Sequence, residues 1–510
     1  MTKTNSLTIA YVLFGITFGT QCVLSLSIDN ILGSLFAVCS SLITLTYLFG
    51  RQQPFIHYPI SSLALLGLNI STQSGAFFYQ TFTFTALEWN LYSPINTFLY
   101  VGLFQLTLVF AHAIYRKAKL FTRFRKFLTH RIFVPIGIYK PLPIRWLWAM
   151  GGVGLLSLWF SASSGVEYGD AGGKFLVAFI PFCYTPFLIP FYGKGSLSKG
   201  LLDTNNRHLI IYTFFLIIVG ILKNSRGTFA VGFITFILIY FIFVSIKKIL
   251  ITQKQIKTLA KWVIPLIMLL SLLSDLAVSM TVVRQTRTEI SGLELGMDTL
   301  STLFDRETIN YYKENQLYRK SDYNEDYISN PIFARLITTK FDDNMLAHSK
   351  LLNSTDSLDV MQITGKKVIA QLPTPLINLL GLGVNKAELQ FTMEDYVWYL
   401  VSGRGLGGYK VGSLTGHGLI MFGGFFYLLC ILLFPFLFSI LDAFSYRKKQ
   451  LYLFSPIAFI FIYKFYAIFY SGSFVKMLAF FVRGLPQAIF LYLILIFILN
   501  ICMPITKKNR

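Results

Sequence analysis

The feature that most constrains this chain is the recurrence of apolar stretches close to 20 residues long. They lie near residues 7–26, 31–49, 61–83, 96–115, 146–162, 175–193, 209–224, 228–246, 262–283, 418–441, 451–470 and 485–505, twelve in all. A helix rising about 1.5 Å per residue needs about 20 such residues to cross a hydrocarbon core of about 30 Å. With 54% hydrophobic and 13% charged residues among 510, the composition departs far from that of a soluble domain. The expected fold is an all-α polytopic membrane protein of about 12 transmembrane helices. The 50 Phe and 28 Tyr suit lipid-facing helices with interfacial anchors. The first stretch, "MTKTNSLTIAYVLFGITFGTQCVLSLS", has a basic start and an apolar run long enough to span, and it lacks a clear small-residue cleavage site. It reads as an uncleaved first helix.

Charge tests this arrangement, because Lys and Arg in short loops favour the cytoplasmic side. Arg51, the run "RKAKLFTRFRKFLTHR" at 116–131, Lys194, Lys199 and Arg207, "KKILITQKQIKTLAK" at 247–261, "YRKK" at 446–449 and the terminal "KKNR" fall at every second connection. The alternate connections, "SIDN" at 27–30, "LEWN" at 87–90 and "GVEYGDAGG" at 165–173, are neutral or acidic. Both termini are therefore expected in the cytoplasm. The long segment 284–417 falls outside and carries 14 Lys and Arg against 16 Asp and Glu, leaving 31 against 7 elsewhere. The net charge of +22 is thus a topology signal, and nucleic acid is not an expected partner. Three regions follow: helices 1–9 over 1–283, a large extracytoplasmic loop over 284–417 between helices 9 and 10, and helices 10–12 with a cytoplasmic C-terminus over 418–510. The loop mixes polar and aromatic residues with scattered apolar ones, which predicts short helices in an ordered lid.

Cys22, Cys39, Cys183, Cys430 and Cys502 all lie in or beside apolar stretches, so they read as small packing residues. No zinc-type His and Glu cluster, serine elbow or haem-type His pairing occurs, and neither a metal nor a cofactor is expected.

Three polar features gather at the expected outer face. "KNSRG" at 223–227 places Arg226 at a short hinge, as a fixed cation suited to phosphate or as a snorkelling, turn-capping residue. "VVRQTRTE" at 282–289 sets Arg284 and Arg287 three apart, where both could meet one diphosphate if the helix continues, or could serve lipid headgroups at a solvated helix end. The third is "SGRGLGGYKVGSLTGHG" at 402–418, whose seven glycines permit close backbone approach and positive φ. Its ionisable groups are Arg404, Lys410 and His417, and it lacks the Gly-Lys-Ser/Thr ending of a nucleotide loop. A histidine at a helix start serves either as a structural hydrogen-bonder or as a catalyst. Among intramembrane polar residues, Asp275 and Lys464 read as a structural pair. Arg483, in "FVRGLPQ", marks a broken or re-entrant start of the last helix.

This layout resembles the bacterial O-antigen polymerases (Wzy), the oligosaccharide repeat unit polymerase family, and their relatives the O-antigen ligases. The likeness rests on twelve helices, the large loop between helices 9 and 10, "SRG" at the junction of helices 7 and 8, arginines opening the loop, and a glycine-flanked polar residue leading into "GLIMFGGFFYLL". It implies a metal-independent GT-C-like glycosyltransferase in the bacterial inner membrane, needing no cofactor or nucleotide sugar. The implied substrate is an undecaprenyl-diphosphate-linked oligosaccharide, with membrane lipid and a chain-length regulator as further partners. The growing glycan would pass to the non-reducing end of a lipid-linked repeat unit. By this resemblance Arg226, with Arg284 or Arg287, holds the diphosphate, an environment Arg483 could join, and His417 is the base for, or orienter of, the acceptor hydroxyl. Arg404 and Lys410 would stand on the acceptor side, although Thr415 occupies the place where the family's loop pattern requires glycine after Arg404.

An O-antigen ligase transferring glycan to lipid A core shares fold, donor and base. A lipid-linked oligosaccharide flippase is an alternative of another class, disfavoured by the 130-residue outer loop and the lack of two related halves. A GT-C enzyme using a polyprenyl monophosphate sugar would carry acidic residues in a large first outer loop, and here that loop holds Asp29 alone.

Overall fold

The computed structural model describes residues 3–50, 53–163, 171–192, 207–223, 225–247, 273–283, 292–316, 323–448, 451–470 and 472–504. The chain is a helical membrane protein. Among the described residues, five helices combine the length and apolarity needed to cross a bilayer: Leu7–Leu24, Ile28–Phe49, Pro94–Lys117, Phe425–Asp442 and Phe474–Cys502. Shorter apolar helices cover Phe175–Phe191, Arg207–Leu222, Ala230–Ile246 and Leu273–Val282.

Several expected spans are interrupted, each for a local reason. The third is helical over Pro59–Asn69, widens into a π-turn at Ile70–Ser74, and resumes over Gly75–Phe82. The sixth tightens to a 3₁₀ helix over Ile180–Leu188, in keeping with Pro181 and Pro186, which cannot donate to an α-helical ladder. The expected helix at 451–470 is not continuous. Ser445–Lys448 and Leu451–Phe454 pair as an antiparallel hairpin, the only strands among the described residues. Two short helices, Pro456–Ile460 and Ile462–Ala467, follow. Tyr139 anchors this hairpin, donating to the Ala443 carbonyl and meeting the Tyr446 ring edge-on at 4.7 Å.

The core is built from aromatic rings. Phe104 stacks on Phe426 at 5.4 Å, and Phe434 and Phe438 both pack on Phe469. Such pairs add about 0.5–1.5 kcal/mol each beyond burial in water. Several polar side chains inside the bundle pair with one another, where no water competes. Asn69 Nδ2 donates to Ser41 Oγ (3.1 Å) and Gln105 Nε2 to Thr44 Oγ1 (3.1 Å).

The connections sort to two ends. At one end Arg116 and Arg125 flank the Tyr58 ring, at 5.9 and 4.9 Å, and Tyr47 and Ser61 hold the two nitrogens of His112. Asp442 accepts from the Ile60 and Ser61 amides there. Arg145 and Trp146 bind the Met503 carbonyl at 3.2 and 3.1 Å. At the other end Ser25 donates to Glu88 and Asn90 pairs with Asn324. The described basic connections near 116–131 and 446–447 thus share one end, while the neutral ones near 25–30 and 87–90 share the other with the long loop.

Candidate functional site

The long loop folds into helices Gly292–Phe304, Arg306–Gln316, Thr339–Ser349, Ser354–Ile369, Thr374–Leu379 and Met393–Ser402. Helix Thr339–Ser349 fixes it to the bundle. A π-turn breaks the α-helical bonding pattern and redirects backbone groups. The Ser71 carbonyl accepts from the Thr338 amide (2.7 Å), and the Thr72 carbonyl from Thr339 Oγ1 (2.9 Å). Asp343 then covers the start of helix Pro94–Lys117, accepting from the amides of Tyr92 (2.8 Å) and Ser93 (2.9 Å) and from Thr97 Oγ1 (3.0 Å). Lys340 neutralises it at 3.0 Å and lies 4.0 Å from the Tyr92 ring centroid; burial holds the Lys340 ammonium below its ordinary pKa despite that carboxylate.

His417 is locked inside this assembly. Its ring is fully buried; Nδ1 accepts from the Phe474 amide (3.1 Å), so Nε2 carries the proton and donates to Thr364 Oγ1 (2.9 Å). Thr364 in turn donates its hydroxyl to the Val360 carbonyl. Burial, aided by the Lys367 charge, pushes the imidazole down to about 3. The general-base role expected of His417 does not fit this geometry, since neither nitrogen is open to an acceptor hydroxyl. The glycines beside it serve packing instead of a ligand. A methyl group on Gly416 would overlap Met345, and one on Gly418 the Phe426 ring.

Neighbouring Ser413 is the cap of helix Leu414–Phe422, accepting from the Gly416 amide (3.0 Å) and donating to Asp342. Burial and the charges of Asp343 and Glu394 push the Asp342 carboxyl up to about 7, against the lowering effect of Ser413.

Next to Asp342 lies a histidine–carboxylate pair that the residue pattern did not single out. His348 Nδ1 stands 3.3 Å from Glu394 Oε1, which also accepts from the Tyr323 hydroxyl at 3.0 Å. With Nδ1–H donating to the carboxylate, Nε2 keeps its lone pair. The ring is flanked by Trp398 at 4.9 Å and Tyr323 at 5.7 Å, both half-buried. Glu394 is fully buried with Oε2 unpartnered, and burial raises its carboxyl above the usual range although His348 draws it back. Lys410, half-buried, is 3.7 Å from Asp395 and 5.1 Å from the Tyr323 ring centroid, and it follows an exposed 403–409 stretch that includes Arg404. The signal in the sequence was faint, one His and one Glu 46 residues apart with aromatics interleaved.

The expected cationic site is only partly described. Arg226 begins helix Arg226–Lys247 after a turn in which Thr228 bonds Ser225. Arg284 and Arg287 lie outside the described residues. Arg483 sits exposed in a π-turn over Phe480–Gly484 of the last helix. Asp275 is not paired with Lys464. It bonds Arg306 at 2.6 Å, tying the loop to helix Leu273–Val282, and Lys464 lies exposed beside the Phe461 ring. Among the described residues no group of three or more His, Cys, Asp or Glu could hold a metal ion. No protein-family model, curated protein or solved structure matches the chain.

Proposed function

We propose that this chain is a polysaccharide polymerase of O-antigen or capsule type, moving a growing glycan from undecaprenyl diphosphate to the non-reducing end of a lipid-linked repeat unit. In this reading it is a GT-C-like enzyme with twelve spans, in a bacterial inner membrane and with cytoplasmic termini. The acceptor hydroxyl attacks the anomeric carbon of the donor, the bond from that carbon to phosphate oxygen breaks, and undecaprenyl diphosphate leaves with the electron pair. Arg226, with Arg284 and Arg287 at the loop entrance, would balance the leaving charge. The acceptor proton would pass to His348 Nε2, with Glu394 stabilising the imidazolium and Tyr323 and Trp398 holding the ring in place.

The observation that carries this reading is the His348–Glu394 pair between two half-buried aromatic rings, on the end of the bundle away from the basic connections. A transport reading is favoured by one observation: Gln73 and Gln105, buried among the membrane helices, each leave an unpartnered side-chain oxygen. Full-length protein in proteoliposomes supplied with undecaprenyl-diphosphate-linked repeat units separates the two. Polymerisation yields lipid-linked dimers and longer chains by mass spectrometry. Repeat units that only change leaflet indicate a transporter, and glycan that moves only onto added lipid A core indicates a ligase.

A further inference from the structure

The densest basic run of the chain has no acid to answer it. From Trp89 to Val166 the sequence contains no Asp or Glu, yet it includes "RKAKLFTRFRKFLTHR" at 116–131. The run forms helix Lys119–Phe127 and a π-turn over Leu128–Phe133. One side is fastened to the bundle. Phe121 is buried edge-on against Phe436 at 4.9 Å, Phe124 approaches the same ring at 5.8 Å, and the Phe121 carbonyl accepts from Ser439. Arg125 also turns inward, onto Tyr58.

The other side is open and divided. At 3.6 residues per turn, Lys119, Arg123 and Lys126 form one stripe, and Leu120 with Phe127 form the adjoining one. All five side chains are exposed, Leu120 to 60% and Phe127 to 53%. None of the three cations makes an ion pair with a described residue. An exposed apolar stripe beside a cationic one matches the depth profile of a membrane surface, with acyl chains on one side and phosphates on the other. Soluble anions have no use for Leu120 and Phe127, and an acidic protein would leave those groups in water.

We propose that helix Lys119–Phe127 lies in the membrane surface and binds anionic phospholipid headgroups through Lys119, Arg123 and Lys126, with Leu120 and Phe127 in the acyl region. The helix thereby anchors the end of the bundle that holds the Tyr47–His112–Ser61–Asp442 network. The site is independent of the glycan reading.

Native mass spectrometry of the full-length protein, titrated with phosphatidylglycerol or phosphatidylcholine, tests this. The wild type should bind phosphatidylglycerol more tightly. The triple variant Lys119→Gln, Arg123→Gln, Lys126→Gln should lose roughly fivefold in that preference for each cation removed. Lys119→Arg, Arg123→Lys, Lys126→Arg should retain it, which separates lost charge from misfolding. Leu120→Ser with Phe127→Ser should weaken both lipids. An unchanged preference in the triple Gln variant overturns the proposal, as does displacement of phosphatidylglycerol by millimolar inorganic phosphate at constant ionic strength.

Discussion

His417 and Asp342 are close neighbours in the same packed junction, and their protonation opposes one another. His417 is neutral when folded and held near 3, below the ordinary histidine value of about 6.5. Its contribution is complete above about pH 6.5 and declines as the pH falls toward 3, because the unfolded chain takes up the proton first. Asp342 has the reverse sign. Its carboxyl is raised to about 7, so the folded state binds the extra proton between about pH 4 and 7 and stability falls as pH rises through that window. Asp342→Asn keeps an acceptor for Ser413 and removes the buried charge. Thermal unfolding of the detergent-solubilised variant should therefore show a higher midpoint than wild type at pH 8, reflecting a stability gain of at most about 4 kcal/mol, and little gain at pH 5. A lower midpoint at pH 8 would count against burial as the cause. His417→Ala strands the Phe474 amide and leaves a cavity, so it should cost about 3–5 kcal/mol. His417→Gln, able to restore one of the two bonds, should recover part of the midpoint. If both variants stay as stable as wild type and lose only turnover, His417 is a catalyst after all. A base could be expected from "TGHG" because polarity and glycine are visible in a sequence, whereas the closure of both ring nitrogens by Thr364 and Phe474, 53 and 57 residues away, is not.

Between elements, the glycine-rich run marks a crossing. Helices Thr339–Ser349 and Leu414–Phe422 meet at Gly416 against Met345, where no Cβ fits. Gly416→Ala should destabilise by about 1–3 kcal/mol, read as a lower thermal midpoint, and the smaller partner in Met345→Ala should relieve part of the strain in the double variant. An additive pair would place the glycine's role elsewhere. Apolar length made the uninterrupted helices such as Ile28–Phe49 and Pro94–Lys117 legible, because hydrophobic runs report directly on spanning. The hairpin at Ser445–Phe454 was hidden by the same signal, since "LYLF" is as apolar as a helix and its pairing with "SYRK" depends on cross-strand bonds. The loop's short helices were foreseeable from its aromatics. The docking of one of them onto the Ser71 and Thr72 carbonyls was not, because a π-turn at Ile70–Ser74 has no simple sequence mark.

Over the whole molecule, charge is the most informative quantity. The near-neutral loop and the described basic connections near 116–131 and 446–447 lie at opposite ends of the bundle. We place acceptor activation at the loop end, at His348 and Glu394, with the aromatic rings of Tyr323 and Trp398 around them. Removing a general base typically costs about 10²–10⁴-fold in rate. The most direct measurement is glycan chain growth by full-length protein in proteoliposomes fed lipid-linked repeat units, comparing wild type with His348→Ala and Glu394→Gln after confirming that both unfold at wild-type temperatures. Wild type should build a ladder of chain lengths while each variant loses at least about 100-fold in growth rate. Ladders forming at the wild-type rate in both variants would contradict it.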